Sequence, residues 1–248
     1  MTKTVLVTGG SRGIGAATCL AAARDGWRVV VNYRKGAAEA QAVVAAIEAE
    51  GGEAWAIGGD ISVEQDVQAM FAAIKERHGP LQGLVNNAGI LPPVGRFEDN
   101  TLDRWQNTLT VNTIGPLLCC RAAIKAMAPR HGGLGGSIVN VSSMASVLGG
   151  PGEFVDYAAS KGAVDSLTIG LSKELGPDNI RVNGVRPGLI ATEIHASAGD
   201  AGRTERFKVN VPMGRVGTAE ETAAAIVWLL SDAASYISGT FIGVSGGR

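Results

Sequence analysis

Tyr157 and Lys161 stand four residues apart in Tyr157-Ala158-Ala159-Ser160-Lys161, a stretch rich in helix formers, so on a helix both side chains project from one face. Such a pair suits proton transfer. A tyrosine hydroxyl titrates near ~10 and is a poor base at neutral pH, but an ammonium held beside it favours the phenolate and lowers that value. A tenfold gain in acidity corresponds to about 1.4 kcal/mol, within reach of a positioned cation. The spacing alone is weak, because in a chain of 248 residues with 3 tyrosines chance supplies about one such pair in twelve similar chains. Its weight depends on the elements that would hold it.

Those elements are those of a globular protein. With 46% hydrophobic and 18% charged residues the chain can bury a sizeable core. Its net charge of −1, with both signs interspersed, offers no broad basic field for a phosphate backbone, so nucleic acid is not an expected partner. The opening residues 1–8 are too short an apolar run for a signal sequence, and no segment approaches the ~20 apolar residues that span a bilayer. A cytoplasmic protein without a membrane partner is expected. Cys19, Cys119 and Cys120 lack the spacing of a disulfide framework and read as reduced, buried small hydrophobes. His78, His131 and His195 are scattered, so no metal site is expected. The 35 glycines punctuate apolar segments and read as turns and points of close approach.

Seven short, mostly β-branched apolar runs bounded by Gly, Asn or Asp read as buried parallel strands: Val5–Val7, Val29–Val31, Ala54–Ile57, Leu84–Val85, Ile138–Val141, Val182–Val185 and Phe241–Val244. Helix-patterned segments alternate with them, at Ala16–Arg24, Ala38–Glu50, Glu64–Arg77, Leu102–Ala128, Tyr157–Leu175 and Ala219–Leu230. The alternation predicts an α/β fold of the Rossmann type, a doubly wound parallel sheet of about seven strands with helices on both faces. No linker or repeat divides the chain, so one domain over residues 1–248 is expected. The long polar stretch 189–212 reads as a substrate lid carrying short helices.

Thr8-Gly9-Gly10-Ser11-Arg12-Gly13-Ile14-Gly15 joins the first strand to the first helix, where a nucleotide pyrophosphate would meet backbone N–H groups and the positive helix end. The spacing Gly-x-x-x-Gly-x-Gly differs from G-x-G-x-x-G, and a glycine-rich turn can also be purely structural. Its place at the first strand–helix junction favours a dinucleotide site. The second strand ends Asn32-Tyr33-Arg34-Lys35 with no carboxylate for a ribose 2′-hydroxyl. Arg34, with Arg12 from the turn, suits a 2′-phosphate, so NADP(H) is favoured and NAD(H) is the alternative; the bland reading is a solvated strand end.

Thr8–Gly15, Asn86-Asn87-Ala88-Gly89, Asn112, Ser143, Tyr157-x-x-x-Lys161 and Pro187-Gly188 occur in the order and approximate spacing of the classical short-chain dehydrogenase/reductase family. The chain resembles that family over essentially its whole length, nearest in flavour to 3-oxoacyl-carrier-protein reductases and glucose dehydrogenases. The resemblance implies an NADP(H)-dependent oxidoreductase acting on a carbonyl or secondary alcohol. In it Tyr157 exchanges a proton with the substrate oxygen, Lys161 lowers the tyrosine pKa and holds the nicotinamide ribose, and Ser143 hydrogen-bonds the substrate oxygen. Strand alternation sends Ser142 and Ser143 to opposite sides, and the family motif aligns with Ser143. Ser143 and Tyr157 are one residue further apart than in the carrier-protein reductases, an insertion expected within Gly152–Asp156, at the substrate mouth.

Pro116 has no N–H for the carbonyl of Asn112 four residues earlier, so the helix should open there. In the family that carbonyl holds a water connected to the catalytic lysine. Asp60 and Ile61 resemble the adenine contact, with a helix cap as the alternative for Asp60. Asn87, Ala88 and Gly89 resemble the segment beside the cofactor, and Pro187, Gly188, Ile190 and Thr192 the segment closing over the nicotinamide. Gly9, Ser11, Arg12, Gly13, Ile14, Gly15, Tyr33 and Arg34, with Tyr157 and Lys161, complete the expected cofactor set. His195 reads as an exposed lid residue, and Leu91–Val94, Met144, Gly150–Phe154 and the Ile194 region as candidate substrate lining.

Three other functions compete. A non-catalytic NADP(H)-binding regulator would not need the full Asn112, Ser143, Tyr157 and Lys161 set. Epimerases and dehydratases of the extended branch carry a larger C-terminal substrate domain, and enoyl reductases separate the tyrosine and lysine further. The small residues Ala158, Ala159, Gly162, Ala163, Ser166 and Gly170 would let a second helix approach closely or pack on the chain's own sheet. By family analogy a homotetramer, a dimer of dimers, is expected.

Overall fold

The computed structural model describes residues 2–193, 199–200 and 202–248. Seven strands, β1 (Thr4–Val7), β2 (Arg28–Tyr33), β3 (Ala54–Gly58), β4 (Gly83–Asn86), β5 (Gly136–Val141), β6 (Ile180–Pro187) and β7 (Phe241–Val244), form one sheet in the order β3-β2-β1-β4-β5-β6-β7. All six pairings are parallel. The expected doubly wound architecture is therefore present.

The apolar runs lack polar alternation because both faces of the sheet are covered. Val5, Val7, Val29, Val31, Val85, Val139 and Val141 pack with residues of α1 (Gly13–Arg24), α2 (Ala37–Ala49) and the C-terminal helix Ala219–Leu230. The intervening Leu6, Val30, Leu84 and Ile138 join residues of α3 (Glu64–His78) and α5 (Gly115–Met127) on the other face. After the short α6 (Ala145–Leu148), a third long helix on this second face, α7 (Val155–Glu174), carries Tyr157 and Lys161 and begins two residues earlier than its pattern suggested.

A buried polar chain ties α7 to the sheet. Asn86 donates to Asn140 at 2.8 Å, and Asn140 donates to the Thr168 hydroxyl at 2.8 Å, which donates back to the Val164 carbonyl. Apolar packing alone leaves a helix free to slide by a turn; this chain requires a matched register.

The segment expected as one kinked helix over Leu102–Ala128 is divided. α4 (Leu102–Leu109) passes into a π-helical turn over Thr110–Ile114 before α5 begins. Pro116 cannot donate to Asn112, and the chain accommodates this by widening, with the Gly115 N–H reaching five residues back to Thr110. Gly115 packs closely at the junction, where a Cβ would stand 2.6 Å from Ile61 Cδ1 and Ile61 would have to shift.

Part of the stretch expected as a lid is described. It holds a helical turn at Arg203–Phe207 and a 3-10 turn at Lys208–Asn210, and Ile190 bridges Gly217 at its base. His195 and Ile194 lie outside the described residues. All three cysteines are free and buried, and burial pushes the Cys120 thiol up to about 12 and the other two higher still. Among the described residues no helix is long and apolar enough to cross a membrane, and no group of His, Cys, Asp or Glu could hold a metal ion.

Candidate active site

At the carboxyl end of the sheet, where β1 and β4 lead their following segments to opposite sides, two clefts open side by side. This reversal of strand order is where doubly wound sheets bind their ligands.

The first cleft, ≈ 630 Å³, is built on the glycine turn. The Gly9 N–H donates to the Asn32 side-chain carbonyl at 3.3 Å, and the Gly10 N–H to the Asn32 backbone carbonyl at 2.8 Å. From just beyond β4, the Asn87 side-chain amide donates to the carbonyls of Thr8 (2.9 Å) and Gly9 (3.1 Å), and Thr8 Oγ1 accepts from the N–H groups of Asn87 and Ala88. A Cβ on Gly15 would stand 2.1 Å from the Gly9 carbonyl oxygen, so only glycine lets the turn close under the start of α1. Arg12 is the residue before the helix and makes no side-chain cap, which leaves the helix's first N–H groups facing the cleft. That cradle fits a pyrophosphate.

Gly9, Ser11, Arg12, Gly13, Ile14 and Gly15 line this cleft, as do Tyr33 and Arg34 from β2 and the loop after it. So do Asp60, Ile61, Asn87, Ala88, Gly89 and Thr192. Arg34 lies 3.5 Å from Asp60 and is half exposed. Asp60 makes an Asx-type turn and is not the residue that caps α3. Its Oδ1 accepts from the Ser62 N–H (2.9 Å) and hydroxyl (2.6 Å), while α3 is preceded by Val63. Burial opposes ionisation of Asp60, but the Ser62 hydrogen bonds and Arg34 together hold its carboxyl below the usual value.

The second cleft, ≈ 530 Å³, contains Ser143, Tyr157 and Lys161 with Pro187, Gly188 and Ile190. Ile14, Asn87, Gly89, Leu91 and Thr192 line both clefts, so the two are continuous. Ser142 is buried and donates to the Lys161 carbonyl at 3.3 Å, whereas the Ser143 hydroxyl hydrogen-bonds Tyr157 and accepts from the Ala145 N–H at 3.1 Å. Lys161 donates to the Val141 carbonyl at 2.8 Å, and its Nζ lies 5.8 Å from the centre of the Tyr157 ring.

The expectation that the ammonium lowers the Tyr157 pKa is corrected for the chain's own groups. Burial raises the tyrosine above its ordinary value and outweighs the Ser143 hydrogen bond, which acts in the opposite sense. Lys161 is itself lowered from 10.5 to about 8 by burial, against which Asp165, one turn along α7, acts weakly. Asp165 is occupied elsewhere, accepting from Arg186 at 2.9 and 3.1 Å.

Asn112 does not line either cleft and sits fully buried behind them. Its side chain accepts from the Ile90 N–H (2.8 Å) and donates to the Ile90 carbonyl (2.9 Å) and to Ser160 (3.2 Å), so it joins the segment after β4 to α7. Asn112 Oδ1 and Lys161 Nζ both approach Gly89, where a Cβ would lie 3.2 and 3.5 Å from them.

Of the expected substrate lining, Leu91, Met144 and Gly150–Phe154 border the second cleft, and Pro92–Val94 are not among its lining residues. Sequence reading missed Thr8 and Asn32 as braces of the turn; a polar residue inside an apolar strand was the available signal for Asn32. It also missed Phe207 and Arg248, which border the second cleft, and the Arg104–Asp156 pair beside it. Phe207, Arg248 and Arg104 have no local signal, since each is brought in from a distant part of the chain.

A family model described as enoyl-(acyl carrier protein) reductase matches residues 9–248. An uncharacterized oxidoreductase, YgfF, of Escherichia coli is 56% identical over 243 residues, covering 98% of each chain. A 3beta-hydroxysteroid dehydrogenase of Eggerthella lenta is 41% identical over 249 residues, 99% of this chain and 93% of the other. The crystal structure of a short-chain type dehydrogenase/reductase from Mycobacterium marinum superposes with a TM-score of 0.93 at 35% identity, covering 99% of this chain and 94% of that one.

Proposed function

Because the chain belongs to the short-chain dehydrogenase/reductase family of oxidoreductases, we propose that it transfers hydride reversibly between NADP(H) and a carbonyl or secondary alcohol, with Tyr157 as general acid and base. The observation that carries this reading is the convergence of Ser143 and Lys161 on Tyr157 where the two clefts join. When bound in the first cleft, the nicotinamide coenzyme supplies or accepts the hydride.

The remaining work falls to the chain. Ser143 donates to the substrate oxygen and orients it toward the Tyr157 hydroxyl. Tyr157, held protonated at neutral pH by burial, gives its proton to that oxygen during reduction. Oxidation requires the same proton to leave, so it is favoured at alkaline pH. Lys161, mostly protonated below its pKa of about 8, places a positive charge behind the tyrosine and beside Gly89, which lines both clefts. Asn112 holds the wall of the cleft at Ile90, and its carbonyl, within the widened turn, is the acceptor through which a water would reach the lysine. Arg34 and Arg12 favour NADP(H) over NAD(H), since no carboxylate ends β2.

The apolar second cleft, with Leu91, Met144, Leu148, Phe154 and Phe207 around the reacting groups, suits a substrate with a bulky apolar body. Oligomerisation through α5 and α7 is supported by surface chemistry. A Cβ on Gly162 or Gly170 would meet nothing, so those residues are not small for the sake of the chain's own sheet. Ile114, Leu117 and Ile169 are exposed. A dimer built there, paired into a homotetramer, would be read by sedimentation.

The test of the reaction is NADPH consumption across ketones, acyl thioesters, quinones and sugars, with Tyr157→Phe as control. Reduction of an enoyl thioester, the activity in the matching family's description, is the second reading, and an enoyl thioester in the panel separates it. Turnover of a ketone or 3-oxoacyl thioester that falls at least ~1,000-fold in Tyr157→Phe is expected, because the phenol would be the sole proton donor at the oxygen. An active Phe variant would remove the basis of the proposal.

A further inference from the structure

We propose that Arg104 is a positioning residue for Tyr157, acting through Asp156 and fastening together the two rims of the substrate cleft. The inference rests on the reading of Tyr157 as the proton donor. Asp156 directly precedes Tyr157 in the first turn of α7. The helix's N-terminal flanking residue, Phe154, makes no side-chain cap, and the approach runs through Gly150 and Gly152, whose φ angles of +57° and +73° favour glycine. Within residues 150–157 the Glu153 and Phe154 N–H groups both donate to the Gly150 carbonyl, bonds that shape the approach itself and do not reach α4.

Arg104 ties the first turn of α7 to α4 and to the opposite rim. Its guanidinium forks onto the Asp156 carboxylate, Nε to Oδ2 at 2.7 Å and Nη2 to Oδ1 at 3.1 Å. The remaining nitrogen, Nη1, donates to the Pro93 carbonyl at 2.6 Å on the opposite rim. Two residues further on, the Gly95 N–H donates to the Glu153 carbonyl at 3.2 Å, so the rims meet at a second point. Leu91 and Gly150–Phe154, the cleft-lining parts of the two rims, lie within a few residues of these ties. The pair is desolvated, with side-chain exposures of 16% for Arg104 and 4% for Asp156. A buried ion pair is a poor way to gain stability compared with apolar packing, and its distinctive property is directional geometry. A lysine could keep the charge but could not fork the carboxylate and cap the carbonyl together.

The experiment compares Arg104→Lys and Arg104→Met with the unaltered protein and with Tyr157→Phe. It measures kcat and KM on the carbonyl compound of the panel above that is turned over fastest, the NADPH Kd by fluorescence titration, and thermal stability. Arg104→Met is expected to lose several degrees of Tm, and Arg104→Lys to recover most of them because the buried carboxylate stays paired. Both are expected to lose about 10- to 100-fold in kcat, the scale of an ångström-sized misplacement. NADPH affinity should stay within about twofold, since Arg104 does not line the coenzyme cleft. If Arg104→Lys regains full kcat along with its stability, the residue is only a charge partner and the proposal fails while the reading of Tyr157 stands. If Tyr157→Phe is active, that reading fails and the positioning role falls with it.

Discussion

Lys161 offers a test in which burial, charge and function meet in one side chain. The fold lowers its pKa from 10.5 to about 8, burial being the main cause. Between those two values the unfolded chain holds the proton more firmly than the folded one, so the unfolding free energy rises with pH. From pH 7 to pH 9 the folded amine passes from mostly charged to mostly neutral while the unfolded amine stays charged. Integrated over that interval, the gain is about 1.4 kcal/mol, a tenfold change in the folding equilibrium. Other groups act in the opposite sense. The thiols of Cys19, Cys119 and Cys120 and the Tyr157 hydroxyl have raised values, so they titrate first in the unfolded chain and erode stability as pH climbs. Lys161→Met keeps all four, and the difference between the two proteins isolates the amine. Urea unfolding at pH 7 and pH 9, at one protein concentration and without coenzyme, reads it directly. The stability of the unaltered protein relative to Lys161→Met should grow by about 1.4 kcal/mol on going from pH 7 to pH 9. A difference that stays flat, or shrinks, refutes the claim that burial depresses this lysine.

Arg34→Asp removes the proposed phosphate partner and sets a second carboxylate near Asp60, 3.5 Å from the present guanidinium. NADPH should bind about 100-fold more weakly, the worth of a charge-assisted contact near 3 kcal/mol, while NADH affinity changes only a few-fold; an unchanged preference in fluorescence titrations of the two coenzymes would defeat the assignment. Gly15→Ala places a methyl group where the Gly9 carbonyl oxygen would be 2.1 Å away and Asn87 Nδ2 2.6 Å away. It should weaken NADPH by at least ~100-fold and lower stability by about 1–3 kcal/mol, the usual cost of overpacking; wild-type affinity in the same titration would mean that this turn does not cradle the coenzyme.

Much of this protein can be read along the chain because its strongest signals are local. Val5–Val7, Val29–Val31 and Ile138–Val141 announce buried strands, since a strand covered on both faces has no polar side to show. Gly9, Gly13 and Gly15 mark the turn because backbone crowding is decided within a few residues. The spacing of Tyr157 and Lys161 is one helical turn, so their shared face follows from helix geometry alone. Pro116 likewise announces that the helix is disturbed near Asn112, because proline removes a donor at a known place.

Sequence by itself therefore determined the layered architecture, the glycine turn between β1 and α1 and the residues proposed for the catalytic set. Tertiary structure alone decided the electrostatics and the fastening of that set. Spacing suggests that Lys161 acidifies Tyr157, yet burial raises the tyrosine and leaves the lysine pairing with the Val141 carbonyl. Pro116 announces a disturbance, but its form, a widened turn closed by the Gly115 N–H on the Thr110 carbonyl, is seen only in the fold, where Gly115 packs against Ile61, 54 residues earlier in the chain. Arg104 and Asp156, 52 residues apart, meet only because α4 and α7 pack together over the cleft. Desolvation and long-range pairing depend on what surrounds a group in three dimensions, and no window along the chain contains those neighbours.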